Sequence, residues 1–226
     1  MEYPVQQILE LACAAQRHNG VYNKETSPVY SDDFKIMGYK FSNKMLMLRA
    51  VSYIDFDNGA IPDDITVTEE DKRLTEEIRS YYRRLMFSVL ANSDNTFQQE
   101  ILSLLNKEMM SSNKVGFIAC LPSAYERDCK RSNMSKTLRE CDNLYLSPID
   151  SKIFDVEAKI IDCTRSKNFD AFNITAIIDN KVVSWFSKKV IDTPEVRIKM
   201  AKVKGHQQHW ISKKYETRLN YVKVIE

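Results

Sequence analysis

The sequence predicts an α+β chain, with a mostly helical region over residues 1–150 and a small five-stranded β-barrel over residues 151–226. Two observations predict it. Apolar residues recur at helical spacing in the first part and at every second position after Ser151. The charge divides at the same place. Residues 1–150 carry 18 Lys and Arg against 22 Asp and Glu, a net −4; residues 151–226 carry 15 against 9, a net +6. A basic module joined to a mildly acidic one points to a polyanion as partner.

The elements follow in order. Val5, Ile8, Leu9 and Ala12 recur at helical spacing behind Pro4, and His18-Asn19-Gly20 supplies the stop. Residues 21–44 are mixed and allow short strands, with turns at Ser27-Pro28 and Asp32-Asp33. Met45 to Phe56 reads as a buried strand or a short helix, closed by the turn signal Asp57-Asn58-Gly59. A long helix follows, capped by Thr66 or Thr68, with Glu69, Glu70 and Asp71 in the first turn and Leu74, Ile78, Tyr81, Tyr82, Leu85 and Val89 along its face. Asn92 to Asn95 breaks it. A further helix starts near Thr96, and a short one runs from Pro122 to about Lys130. Residues 131–150 read as a polar connection.

From Ser151 the period is two. Strands are expected at 154–161, 172–178, 182–186, 196–204 and 217–225, with a tight hairpin at Asp179-Asn180 and a bulge or bend at Gly205. Phe154 and Phe172 are expected in the core. Five strands in so short a span suit an OB-fold, with an SH3-like barrel as the alternative.

Composition narrows the function classes. At 226 residues, 43% hydrophobic and 28% charged, the chain has the balance of a globular protein of one large or two small domains. No apolar run approaches the roughly 18 residues of a membrane span. Met1-Glu2-Tyr3-Pro4 lacks the basic and apolar stretches of a signal peptide. The five cysteines, an odd number without a Cys-x-x-Cys pair, fit a reducing, cytoplasmic setting. His206 and His209 form a His-x-x-His pair without a second pair of ligands, so no metal and no cofactor is expected. No Walker, dinucleotide or nucleophile-elbow motif is present, and no catalytic residue is assigned. Asp162, Asp170 and Asp179, at strand ends, are the one carboxylate set that could meet to serve a nuclease.

The barrel region interleaves cations with aromatics, the pair of ingredients a single-stranded nucleic acid requires. Cations neutralise phosphates, and aromatic faces stack on unpaired bases. Trp185, Trp210 and Tyr215 are the stacking candidates. Lys199, Lys202, Lys204, Lys213, Lys214 and Arg218 are the phosphate candidates, and His206 lies in the same loop.

The closing segment Val196-Arg197-Ile198-Lys199-Met200-Ala201-Lys202-Val203-Lys204-Gly205-His206, followed by Thr217-Arg218-Leu219-Asn220-Tyr221-Val222-Lys223, resembles the last strands of OB-fold modules in phage and plasmid proteins. Their Asp-x-Gly-Asn-x-x-x-Trp hairpin is matched by Asp179 to Trp185, with Asn180-Lys181 in place of Gly-Asn. Asn95 to Tyr125 resembles the helical part before the barrel. The resemblance covers roughly residues 95–226 and implies a phage-like genomic setting, hence a host-cell cytoplasm, and work on nucleic acid rather than a defined activity. Joined to the cations and aromatics of the barrel, it gives the expectation of a virus-encoded protein that binds single-stranded DNA, or RNA, in replication or recombination. The alternative, from another class, is an adaptor or accessory subunit that binds a host or replication protein.

Overall fold

The computed structural model describes the backbone of residues 1–52, 61–91, 96–166 and 168–225, and their side chains except at 87–91 and 96. The turn expected at Asp57-Asn58-Gly59 and the break expected at Asn92–Asn95 lie outside the described residues. The chain forms two compact units, Met1–Asp128 and Cys129–Glu226.

The first unit is built on α1 (Val5–Asn19). Val5, Ile8, Leu9, Ala12 and Ala15 are completely buried, so this helix is covered on most of its circumference. Gly20 ends it at φ 72, a left-handed conformation that costs glycine nothing. Just ahead of α1, β1 (Glu2–Pro4) pairs with β4 (Met109–Ser111) and ties the two ends of the unit together. The mixed segment holds a hairpin, β2 (Ser27–Tyr30) with β3 (Ile36–Lys40). In the ambiguous apolar run, helix α2 (Asn43–Val51) is the part that is described, with the Ser42 hydroxyl accepting the Met45 N–H; residues 53–56 lie outside the described residues. Helix α4 spans Thr96–Leu105, and α5 (Val115–Ala119) buries Val115 and Ile118.

Helix α3 (Glu69–Ala91) is capped by Thr68, one of the two residues the sequence offers. Thr68 and Asp71 cap it reciprocally: the Asp71 N–H donates to the Thr68 hydroxyl at 3.3 Å, and the Thr68 N–H donates to Asp71 Oδ2 at 2.8 Å. Arg17 of α1 reaches both carboxylate oxygens, at 3.1 and 2.9 Å. One side chain thus caps α3 and binds α1 to it. Burial alone would raise the Asp71 carboxyl, but the Arg17 guanidinium and the two Thr68 donors outweigh it and hold the group below its ordinary value.

The last helix, α6 (Leu121–Arg139), runs nine residues past the expected end near Lys130. The residues after Lys130 lack a broad apolar stripe, which hid the helix. Its tail needs only Met134 and Leu138 to pack, on Val182, Ile161 and Ile177 of the barrel. The compact unit therefore begins at Cys129 rather than at the boundary expected near 150.

The second unit is a closed barrel of β5 (Lys152–Arg165), β6 (Phe172–Ile178), β7 (Lys181–Ser187), β8 (Glu195–Gln208) and β9 (Tyr215–Ile225), in the order β5-β6-β7-β9-β8. All neighbours are antiparallel except β7 and β9. This connectivity is consistent with an OB-fold. Asp179 and Asn180 make the hairpin turn with φ of 47 and 59, the left-handed pair of a type I′ turn without glycine. The ladder between β8 and β9 shifts register at Gly205, at the expected bend. Ile174, Ala176, Ile178, Val183, Trp185, Ile198, Val203 and Leu219 fill the interior. Phe172 packs against them, but Phe154 does not; it is exposed. The alternation changes phase at Asp155, whose φ is 53, so Ile153 takes the inward place and Phe154 turns out.

The cap yields a stability prediction. Asp71→Asn should cost about 2 kcal/mol in urea denaturation at neutral pH. The native carboxyl titrates below its unfolded value, so its contribution is present above that value and lost as pH falls through the native one. The deficit of the variant should therefore shrink in strong acid.

Candidate nucleic-acid interface

Alternation along the barrel strands decides what faces outward. On β7, Val183 and Trp185 point in, while Val182, Ser184 and Phe186 point out. Val182 is covered by Leu138 and Cys141. Ser184 and Phe186 are not, and with Asn173 and Thr175 of β6 they floor a groove of about 340 Å³. Asp162, Thr164 and Arg165 of β5 line one side, Glu216 and Arg218 of β9 the other, and Gln207, His209 and Trp210 close its end.

The rim is aromatic and basic. Trp210 is 62% exposed, with the Arg131 guanidinium 5.5 Å from its ring centre. Phe186 is exposed and meets the exposed Phe169 edge-on at 5.9 Å. Arg165 pairs with Asp170 at 3.3 Å on the open surface, where such a pair is weak. The walls differ. Glu216 is buried, and its Oε1 accepts from the Ser184 hydroxyl and, at 2.9 Å, from Gln207 Nε2. Asp162 Oδ2 accepts the Thr164 hydroxyl at 2.5 Å.

The turn that presents Trp210 is built on His209. The His209 N–H donates to the Lys214 carbonyl and the Lys213 N–H to the His209 carbonyl, both at 2.8 Å, and Lys213 takes φ 59. The His209 ring is buried; its Nδ1 accepts the Ser212 N–H at 3.3 Å, which leaves the proton on Nε2. Burial pushes the imidazole below its ordinary value. Glu216 and Asp162 pull the other way and Lys213 adds to the depression.

The structure sorts the sequence-derived candidates. Trp210 and Arg218 line the groove, and exposed Lys213 lies in the turn beside it. Trp185 does not serve as a stacking platform: it is 3% exposed inside the barrel, and the outward aromatic of that strand is Phe186. Lys214 donates to the Cys141 carbonyl at 2.6 Å, a structural tie. His206 and Tyr215 both stack on Tyr145, at 3.8 and 4.7 Å, and the His206 Nε2 lies 2.8 Å from the Ser147 carbonyl. This stack fixes the segment before the barrel. Lys199, Lys202 and Lys204 do not line the groove, because β8 bends at its bulges and only Gln207 near its end reaches it. Lys202 pairs with Asp150 at 2.6 Å. Of the three aspartates considered for a nuclease, only Asp162 lies in the groove; Asp170 binds Arg165 and Asp179 forms the hairpin turn. Among the described residues, no three His, Cys, Asp or Glu side chains gather as a metal site.

Sequence reasoning passed over Arg165, Asn173, Ser184, Gln207 and Glu216. Their signal is the outward half of each alternating strand, readable once the strands are placed next to one another.

A pH dependence follows from His209. The unfolded chain binds a proton near the ordinary histidine value, about 6.5, while the folded barrel resists it. Stability present above that value should fall as pH drops from it toward the native one. His209→Asn keeps an acceptor for Ser212 and should flatten this slope, read by thermal denaturation between neutral and mildly acidic pH.

No protein-family model, curated protein or solved structure matches the chain.

Proposed function

We propose that the protein binds single-stranded DNA, or RNA, along the outer groove of its barrel and acts in replication or recombination. The observation that carries this reading is the groove itself, which places exposed Trp210 and Phe186 next to Arg165, Arg218 and the turn bearing Lys213. The aromatic faces stack on unpaired bases, and the cations follow the backbone. OB-fold barrels bind oligonucleotides on this kind of face, flanked by the loops between the first two and the last two strands. The phage-like setting rests on the sequence resemblance of residues 95–226.

A second reading, an adaptor for a host or replication protein, is favoured by one observation in the first unit. The β2–β3 hairpin exposes five large apolar side chains, Val29, Tyr30, Phe34, Ile36 and Met37, an amount of apolar surface that favours a contact site. The two readings are compatible, since they use different units.

Tryptophan fluorescence tests the first reading. Trp210 is exposed and Trp185 is buried, so a mixed-sequence single strand should quench the red-shifted emission of Trp210. Trp210→Phe should lose the quenching and Trp185→Phe should keep it. Arg165→Ala with Lys213→Ala should weaken binding for every sequence and flatten the log–log salt slope by about 1.4, for two lost phosphate contacts. Unchanged fluorescence with any nucleic acid at low salt would leave the adaptor reading in its place.

A further inference from the structure

We infer that the groove selects bases that carry an exocyclic amino group, cytosine over uracil in the simplest case, with Glu216 as the acceptor. The inference rests on the single-strand reading and concerns which strand the groove prefers.

A groove made only to hold phosphate would be lined with donors. This one has a buried carboxylate in its wall. Glu216 is 3% exposed, a position carboxylates rarely occupy without full pairing. Both hydrogen bonds it receives, from Ser184 and Gln207, go to Oε1. Among the described residues Oε2 receives none, although a carboxylate accepts at both oxygens. Ser184 and Gln207 hold the group in one orientation, and the groove is the space it borders. Arg218 lies two residues further on the same face of β9 and also lines the groove.

An acceptor beside a donor reads one side of the pyrimidine code. The Watson–Crick edge of cytosine offers an amino donor at N4 next to acceptors at N3 and O2. A carboxylate receives the first and a guanidinium supplies the others. Uracil and thymine offer one ring N–H between two carbonyl oxygens. A carboxylate that accepts this N–H has a carbonyl oxygen on each side of it, and one placed to receive an amino group at the 4 position meets acceptor with acceptor, which is costly in a buried site. Asp162 adds a second carboxylate to the same groove, which deepens the bias against carbonyl-rich edges. Stacking on Trp210 and Phe186 does not distinguish the two pyrimidines, so the edge contact sets the preference.

The test compares oligodeoxycytidine with oligodeoxyuridine of equal length at pH 8, by fluorescence titration of the full chain. The two strands share ring size and backbone and differ at the base edge. The expected result is roughly tenfold tighter binding of the cytidine strand. Glu216→Gln, whose amide can also donate, should bring the ratio close to one. Equal affinity of the wild-type protein for both strands would overturn the inference while leaving single-strand binding intact. A ratio that survives in a folded Glu216→Gln variant would overturn the role of Glu216. Binding of neither strand would defeat the single-strand reading itself. The wild-type comparison needs no variant, so a failure of Glu216→Gln to fold does not remove the test.

Discussion

Three residue pairs close the barrel. Val182 with Glu216, Val183 with Thr217 and Ser184 with Arg218 form the only parallel ladder among its five strands. Without it, β9 would hang on β8 alone, and β7 and β9 would both present open edges. Every feature of the groove depends on this short seam. It puts the Ser184 hydroxyl against the Glu216 carboxylate and sets Arg218 across from Ser184. Between them Thr217, wholly buried, accepts the Leu146 N–H at 2.9 Å and so anchors the segment that leads into the barrel.

The groove combines two electrostatic characters that a surface map would average away. Its rim carries guanidinium groups and aromatic faces, suited to a charged backbone and flat bases. Its wall carries acceptors and an imidazole that burial makes harder to protonate. The carboxylates of that wall repel an anion and the guanidinium groups of the rim attract one, so the two surfaces favour different parts of any ligand that is charged on one side.

Periodicity made the architecture legible. The switch from helical to alternating spacing near Ser151 marked the barrel, and the five strands, the hairpin at Asp179-Asn180 and the bend at Gly205 followed from residue types alone. What escaped had a physical reason in each case. The tail of α6 was hidden because two apolar contacts hold it, too few to make a stripe. Phe154 went astray because Asp155 adopts a left-handed conformation, which no alternation rule anticipates. The site was half legible. Trp210, Arg218 and the turn lysine Lys213 stood out by type and context. Trp185 could not be separated from Phe186 until the inward face of β7 was known, and the lysines of β8 shared a strand with the groove but not its surface. Glu216 gave no signal, because an acid in a basic strand reads as surface charge until its neighbours are placed.

The closing seam also joins binding to folding by mass action. Glu216 and Arg218 belong to the last strand, and Ser184 and Phe186 to the third, so the groove exists only in the closed barrel. An open barrel, however complete its hairpins, offers a ligand half a surface. Whatever occupies the groove therefore draws the population toward closure by its own binding free energy. The barrel becomes harder to unzip whenever its groove is filled, and a ligand there counts as one more contributor to a five-stranded fold.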